Sequence, residues 1–225
     1  MQTAEQKAVG DETQQKVFEK VPAKPGYEFC KRIFDIVMSV LALIVLSPLL
    51  AGVAIAIKAH DGGPAIYASI RLTKGGRTFK MYKFRSMCLG AEKQLDTLLD
   101  KNEMQGPAFK LKDDPRVTKI GRFIRRTSID ELPQLLNILK GDMTIIGPRP
   151  PLPREVEQYT PYQMHRLDVK TGLACYHECE GRSDTTDFNE WVESDLRYIR
   201  ERSMKTDLMI IFRTIRVVLT GKGAC

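Results

Sequence analysis

The residues best placed to do chemistry lie in the stretch 121–137, which contains the sequence DELPQLLN. A proline fits only the first turn of a helix, because its missing N–H has no partner there. With Asp130 as the N-cap, Pro133 becomes the third helical residue, whereas a capping box of Ser128 and Glu131 would place it fifth, where a hydrogen bond is lost. The spacing therefore predicts a helix that begins at Asp130, with Glu131 next to it.

A helix start of this kind favours phosphate chemistry. Its free N–H groups and the helix dipole stabilise a carboxylate and also a phosphate beside it. Arginines one or two turns upstream can neutralise phosphate oxygens: Arg122, Arg125 and Arg126. A carboxylate kept ionised among arginines, here Asp130, can act as a nucleophile on phosphorus. Adjacent carboxylates, here Asp130 and Glu131, also suit a hydrated Mg²⁺ that bridges a diphosphate, while the alternative is that they merely cap the helix.

A second basic feature is the proline-rich stretch IGPRPP at residues 146–151. Successive prolines hold the backbone extended and stiff, so Arg149 has little conformational entropy left to lose when it binds a ligand. A rigid arginine suits phosphate recognition. The alternative is a solvated arginine in a crossover loop.

Five cysteines at loose spacing are not a secreted disulfide framework, and they fit a reduced, cytosol-facing chain. Cys175, His177 and Cys179 alternate, so on a strand they would share one face. Zinc would still need a fourth ligand and a more usual spacing. The pattern therefore argues against a metal site in this segment.

The chain runs without a charge from residue 36 to residue 57, as IVMSVLALIVLSPLLAGVAIAI. A spanning helix needs about 20 such residues, which favours membrane insertion over a buried core helix or a signal peptide. Pro48 cannot donate to the carbonyl of Ile44, which predicts a bend, and the hydroxyl of Ser47 can bond a neighbouring carbonyl. Positive charge on both flanks gives no orientation for a full span. A re-entrant hairpin with both ends in the cytoplasm removes that conflict, and a kinked span is the alternative.

Other elements follow from local patterns. Residues 1–28 predict a mobile arm, and the strands on either side of Gly75-Gly76 predict a β-hairpin. Residues 90–103 predict an amphipathic helix, and Asp114-Pro115 predicts the start of a helix that ends near Arg126. Near the C-terminus, a helical spacing of apolar residues with arginines between them is typical of a helix on an anionic membrane surface, or of one packed on the core. These apolar residues are Leu208, Ile211, Phe212, Ile215 and Val218.

The composition limits the class of protein. With 225 residues, 43% of them hydrophobic, the chain can bury a core and is not a mainly disordered protein. A net charge of +7 indicates an anionic partner, either nucleic acid, lipid headgroups or a phosphorylated substrate. No basic platform with interleaved aromatic residues favours nucleic acid.

Taken together, these stretches resemble the bacterial sugar transferase family, the monotopic phosphoglycosyl transferases that begin lipid-linked glycan assembly. The resemblance covers residues 29–224 and rests on segments in a specific order. These are KRIFDIVMSVLALIVLSPLL (31–50), FKMYKFRSM (79–87), DDPRVTKIGRFIRRTSIDELPQLLNILKGDM (113–143), IGPRPPLP (146–153) and TGL (171–173).

The expected fold is α+β and predominantly helical. It is a monotopic membrane protein with one re-entrant helix-break-helix, a small β-hairpin and basic interfacial amphipathic helices. The resemblance implies that Ser47-Pro48 breaks the re-entrant helix. The expected organisation is a polar N-terminal arm (1–28), the re-entrant helix (29–58) and a cytosolic or interfacial catalytic domain (59–225).

The resemblance implies an enzyme that moves a sugar-1-phosphate from a UDP-sugar to polyprenyl (undecaprenyl) phosphate and releases UMP. Asp130 would be the nucleophile that forms an aspartyl-phosphosugar intermediate, with Mg²⁺ required and Glu131 helping to hold it. Arg125 and Arg149 would contact phosphates, and further basic positions carried over from the family are Lys83 and Arg85. The enzyme would initiate exopolysaccharide, O-antigen, capsule or glycoprotein glycan assembly at the cytoplasmic face of the bacterial inner membrane.

The expected partners are the UDP-sugar, polyprenyl phosphate and membrane lipids, with a homodimer left open and no nucleic acid. The alternative function is an inactive membrane-surface scaffold of the same fold. This sequence departs from the family in one place, where the usual Gly-Leu-x-x-x-Trp-Gln-Val-x-Gly-Arg appears as GLACYHECEGR (172–182). That change leaves recognition of the sugar open.

Overall fold

The structure is a computed structural model that describes residues 21–180 and 186–220. It is mostly helical. The α-helices are α1 (Pro25–Asp61), α2 (Lys119–Arg126), α3 (Gln134–Lys140), α4 (Pro153–Val156), α5 (Pro161–Met164), α6 (Tyr176–Cys179), α7 (Phe188–Glu201) and α8 (Met204–Thr220). The strands are β1 (Ile66–Thr73), β2 (Arg77–Phe84), β3 (Thr144–Ile146) and β4 (Gly172–Ala174).

The predicted hairpin is confirmed. β1 and β2 pair antiparallel, with Ile66 opposite Phe84. Gly75 and Gly76 in the turn have φ angles of 69° and 76°, a left-handed conformation that glycine adopts without steric cost. The structure adds a second pair that the sequence did not predict, because β3 and β4 are only three residues long and pair in parallel.

The apolar segment forms one continuous helix, α1, of 37 residues with Pro48 inside it, so the chain is not divided into two helices at Ser47-Pro48. The hydroxyl of Ser47 donates to the carbonyl of Ile44 at 2.8 Å, as predicted. Because Ile44 is the residue whose helical partner Pro48 removes, this bond satisfies the carbonyl that the proline leaves without one. The helix begins at Pro25, so the last residues of the predicted arm belong to it, and residues 1–20 lie outside the described part.

Both ends of α1 contact the rest of the protein. Near its start, Lys31 donates to the Asp207 carboxylate at 2.7 Å, and Asp35 accepts from the Thr144 hydroxyl at 2.6 Å. At its end, Asp61 forms an ion pair with Arg85, whose Nη1 is 2.7 Å from Asp61 Oδ2. In the described part of the chain, α1 is the one helix that is long and apolar enough to cross a membrane. Within its most apolar stretch of 18 residues, only 11% is buried against the rest of the protein.

In the described part of the chain, the core consists of three clusters of buried side chains. The largest joins α7, α8 and the parallel strand pair, and its members Leu196, Ile199 and Ile210 are fully buried. The second packs β2 against α3 and the middle of α1. The third packs the second half of α1 against Phe84 and Ile124. The last two clusters attach α1 to the elements that carry the site.

Two predicted helices differ from the observed ones. Within residues 90–103 the chain forms short 3₁₀ segments, Ala91–Gln94 and Asp96–Lys101, instead of an α-helix. The helix α2 ends at Arg126 as predicted but begins after Thr118, whose hydroxyl accepts from the Gly121 N–H at 2.9 Å. Asp114 does not cap it, because its carboxylate is held by the backbone N–H and the guanidinium of Arg116.

The C-terminal helix α8 is confirmed, and its two faces are distinct. Asp207 and Ile210 face the core, whereas the predicted apolar positions are mostly on the outside: Leu208, Phe212, Ile215 and Val218 are exposed and Ile211 is half-buried. The helix therefore packs on the core through other residues and keeps an apolar outer face. The strand β4 ends at Ala174 and α6 follows, so Cys175, His177 and Cys179 do not alternate along one face of a strand.

Candidate active site

Asp130 and Glu131 lie in a short 3₁₀ turn, Ile129–Glu131, between α2 and α3. Helix α3 begins only at Gln134, with Pro133 as its N-cap, so the predicted role of Asp130 as an N-cap is wrong. The turn follows Ser128, whose φ is 55°. Ser128 is the one non-glycine residue with a positive φ in the described part of the chain. This conformation is uncommon outside glycine and concentrates at functional sites, because the surrounding structure must hold it in place.

The extra turn changes what Asp130 does. Its side chain caps no helix, and no other described residue donates a hydrogen bond to its carboxylate. The residue is nevertheless only 7% exposed. A buried carboxylate without such donors is poorly solvated, which leaves its oxygens available to an electrophile.

The two neighbouring carboxyl groups have opposite electrostatic environments. Burial raises the pKa of Asp130 to about 6; Lys83 opposes this rise, Glu131 adds to it and Arg125 opposes it. Burial also acts to raise the pKa of Glu131, but Lys83 and Arg149 outweigh it and hold that pKa below its usual value. The Lys83 ammonium donates to Glu131 Oε1 at 2.6 Å. Asp130 is therefore less stabilised as an anion than its arginine-rich sequence suggested.

The predicted arginines of α2 lie around the same cleft. Arg125 donates from Nε to the Ser86 hydroxyl at 2.9 Å, and its charge acts on Asp130. Arg122 and Arg126 line the same cavity as Asp130. The structure therefore brings these three arginines to the cleft that contains the carboxylates.

The loop that carries Arg149 is held by the parallel strand pair. The Gly172 N–H donates to the Pro148 carbonyl at 2.8 Å, and the Gly147 N–H donates to the Ala174 carbonyl at 3.0 Å. A Cβ on Gly172 would lie 2.1 Å from the Gly147 nitrogen, so only glycine fits in the TGL segment. The proline stiffening predicted for Arg149 is thus combined with backbone hydrogen bonds at the base of its loop.

Of the two basic residues carried over from the family in this region, Lys83 on β2 joins the dyad directly, while Arg85, just after β2, is engaged elsewhere. The Arg85 guanidinium binds both Asp61 oxygens and donates from Nε to the Pro64 carbonyl at 2.7 Å. Arg85 also lines the large cavity. Its hydrogen bonds nevertheless hold the end of α1 rather than the dyad.

The cleft opens into a cavity of about 1820 Å³, whose walls include Asp130, Glu131 and the surrounding arginines. This exceeds the roughly 300–1,000 Å³ of a typical small-molecule site, so it has room for more than one substrate. One wall is apolar and comes from α8, with Ile211, Ile215 and Val218. Because these residues belong to the helix with the exposed apolar face, the cavity joins a polar site to an apolar surface.

Sequence reasoning missed three residues of the cleft. Arg71 on β1 donates to the Pro150 carbonyl at 3.1 Å and so connects the hairpin to the Arg149 loop. Its burial, and then the positive charge of Arg149, lower the pKa of Arg71 to about 10. The Arg149 guanidinium lies over the ring of Trp191, 5.5 Å from the ring centroid. Glu178 lies 3.9 Å from Arg149. For Glu178 a signal existed, since it belongs to the segment that departs from the family pattern.

Comparisons with known proteins identify relatives of this chain. A family model described as bacterial sugar transferase matches residues 26–221. The chain belongs to the bacterial sugar transferase family. It is 46% identical over 201 residues to a protein of Streptococcus agalactiae named galactosyl transferase CpsE, covering 89% of this chain and 44% of that protein. The family also includes shorter members.

Two further family members show the range of lengths. The undecaprenyl-phosphate galactose phosphotransferase of Salmonella typhimurium is 42% identical, over 90% of this chain and 43% of its own length. The exopolysaccharide production protein ExoY of Sinorhizobium fredii is 39% identical, over 86% of this chain and 87% of its own length. The chain thus spans less than half of the first two relatives and most of the third.

Proposed function

We propose that this sugar transferase family member moves a sugar-1-phosphate from a UDP-sugar to polyprenyl phosphate, with release of UMP. The observation that carries the proposal is the buried Asp130 carboxylate in a cleft with the Lys83–Glu131 ion pair, Arg125 and Arg149. A site with this charge distribution combines one reactive anion with several cations for phosphate oxygens.

The reaction proceeds in two displacements at one phosphorus. An oxygen of Asp130 attacks the phosphorus that bears the sugar, the bond from that phosphorus to the bridging oxygen breaks, and UMP leaves with that oxygen and its electron pair. An oxygen of polyprenyl phosphate then attacks the same phosphorus, and the bond to Asp130 breaks. The products are a polyprenyl diphosphate sugar and the regenerated carboxylate. The arginines hold the phosphates in line for both steps.

The residues present fit a magnesium ion. Carboxylate oxygens are hard ligands, and Mg²⁺ in such sites is usually bound by one or two carboxylates together with substrate phosphates. Asp130 and Glu131 supply that number, and in the described residues no larger cluster of His, Cys, Asp and Glu is arranged for a metal. When bound, the ion would neutralise charge on the diphosphate. Lys83 would meanwhile keep Glu131 ionised and oriented toward it.

We place both ends of α1 on the cytoplasmic side of the membrane, an arrangement that requires the continuous helix to bend within its apolar part, at Pro48. A hydrocarbon core is about 30 Å thick, so the ends of a straight span lie on opposite sides of it. Here the same domain binds Lys31 through Asp207 and Asp61 through Arg85. One folded domain cannot contact both ends of a helix across a bilayer. The acceptor lipid would then reach Asp130 from the membrane surface, where α8 presents its apolar face.

The pathway assignment rests on the names of relatives. These include undecaprenyl-phosphate sugar phosphotransferases and exopolysaccharide production proteins. We assign this chain to the same initiating step of polysaccharide assembly at the cytoplasmic face of a bacterial membrane. The donor sugar is a separate question.

Purified protein in detergent, supplied with polyprenyl phosphate and a panel of UDP-sugars, tests the function through UMP release. Wild type should release UMP with at least one donor, and Asp130→Asn should not. Rapid quenching without acceptor should leave a sugar-phosphate adduct on the Asp130 peptide, detected by mass spectrometry. If wild type releases no UMP with any donor, the inactive-scaffold alternative replaces this proposal. If Asp130→Asn releases UMP as fast as an active wild type, a different residue is the nucleophile.

A further inference from the structure

Glu178 is an acidic side chain in the wall of the cleft that the proposed reaction does not use. It lies in the short helix α6, and its side chain is 33% exposed toward the large cavity. Its one ion-pair partner, Arg149, is 3.9 Å away, beyond hydrogen-bond distance, and no other described residue donates a hydrogen bond to its carboxylate. The two oxygens of Glu178 therefore retain capacity to accept hydrogen bonds from a ligand.

Glu178 and Glu131, the neighbour of Asp130, line one small cavity. A cavity of about 10 Å³, room for about one water-sized group, is lined jointly by Lys83, Glu131, Arg149 and Glu178. In the proposed reaction the phosphorus next to Asp130 bears the sugar, while the uridine is one phosphate further away. A side chain that shares a small cavity with Glu131 is therefore nearer to the sugar than to the base.

The chemistry of a carboxylate narrows the ligand further. Burial, with Glu131 next, raises the pKa of Glu178 to about 7, so above that pH the side chain is mainly an anion. The anion accepts hydrogen bonds, donates none and repels phosphate oxygens. Sugar hydroxyls are the donors in this part of a nucleotide sugar. We propose that Glu178 accepts a hydrogen bond from a hydroxyl group of the donor's sugar and thereby selects which UDP-sugar reacts. This inference rests on the proposed function and names the group that determines its substrate.

The surroundings hold Glu178 firmly enough for selection. The neighbouring His177 ring stacks on Trp191 at 5.4 Å between centroids, with 19° between the ring planes. Trp191 also carries the Arg149 guanidinium. One aromatic ring thus fixes both the helix that bears Glu178 and the arginine beside it. Discrimination between epimers requires an acceptor at a fixed position, and this stacking supplies it.

The sequence supports a role specific to this chain. The family pattern has Gln at this position, and Gln offers an amide donor as well as an acceptor. Glu178→Gln is nearly isosteric and replaces a charged acceptor by a neutral amide. A hydrogen bond to a charged acceptor is stronger than one to a neutral amide, so this replacement should change the selectivity between donors by about tenfold.

The test compares wild type with Glu178→Gln in two assays at about pH 8, above the raised pKa of Glu178, where its carboxylate is mainly ionised. The first measures kcat/KM for UMP release with UDP-galactose, UDP-glucose and their N-acetylated forms. The second measures by calorimetry the binding of the preferred UDP-sugar and of UDP, which lacks the transferred sugar. Glu178→Gln should change the ratio of kcat/KM between two donors by about tenfold. It should also weaken binding of the UDP-sugar and leave the affinity for UDP within about twofold of wild type.

Glu180→Gln is the matched control, since Glu180 is in the same segment but pairs with Arg197. It should leave the donor ratio and both affinities as in wild type. If Glu178→Gln leaves the donor ratio unchanged, or weakens UDP and UDP-sugar binding equally, the proposed role of Glu178 is refuted and the proposed function is not affected. If wild type neither binds nor turns over any UDP-sugar, the proposed function itself is refuted.

Discussion

Exchange of Asp130 for asparagine should abolish UMP release and at the same time stabilise the fold at neutral pH. Burial raises the pKa of this carboxyl from 3.8 to about 6, so the folded protein favours its neutral form. Asparagine has nearly the same shape as the neutral acid and cannot ionise. The variant therefore avoids the free-energy cost of a buried anion that wild type carries above pH 6.

The size of the effect follows from the change in proton affinity. A rise from 3.8 to about 6 corresponds to at most about 3 kcal/mol, at about 1.4 kcal/mol for each tenfold change. Because the folded pKa lies above the unfolded one, wild type loses stability as the pH rises from about 4 to about 6. The advantage of Asp130→Asn should be full above pH 6 and absent below pH 4. At about 2–4 °C per kcal/mol, the upper limit is a rise of about 6–12 °C in Tm.

Thermal unfolding in detergent at pH 7.5 and pH 4 measures both limits. Glu131→Gln is the matched control, and its sign is opposite. Lys83 and Arg149 hold the pKa of Glu131 low, so its ionised form stabilises the fold and the variant should lower the Tm at pH 7.5. If Asp130→Asn unfolds at or below the wild-type temperature at pH 7.5, Asp130 is not a strained anion and the electrostatic reasoning fails.

Three other expectations follow from the same contacts. In a profile of kcat/KM against pH, UMP release should rise with pH and have a midpoint near pH 6, because Asp130 must be ionised to attack. A midpoint near pH 4 would contradict this. Arg85→Ala should speed limited proteolysis of residues 58–66 and leave the KM for UDP-sugar near wild type, since Arg85 holds Asp61; a large KM increase would instead favour phosphate contact. Tags inserted before Pro25 and after Asp61, just outside α1, should both be accessible from the cytoplasmic side of vesicles, and opposite accessibility would exclude the re-entrant arrangement.

Patterns with a strict local cause were readable from the sequence. The hairpin around Gly75-Gly76 and the bond from Ser47 to the Ile44 carbonyl depend on neighbours within a few residues. The family was also readable, because its segments are contiguous and ordered. The extent of α1 was read less well, since contacts of its first turns with distant elements extend it to Pro25.

The capping prediction shows where local rules stop. Asp130 and Asp114 both had N-cap form in the sequence, yet the structure uses neither as a helix cap. Asp114 is bound by Arg116, and Asp130 is carried on a separate turn after Ser128. Capping preferences are worth about 1 kcal/mol, so a buried ion pair or a packed turn can override them.

The sequence alone determined the family, the apolar segment, the two carboxylates and the basic residues that surround phosphate, because these are properties of residue type and order. Only the tertiary structure decided which of the basic groups face Asp130, that Arg85 holds the end of α1, and that Glu178 shares a cavity with Glu131. Lys83 and Glu131 are 48 residues apart. Their pairing, and the desolvation that sets the pKa of Asp130, arise from packing between distant segments, which no local pattern encodes.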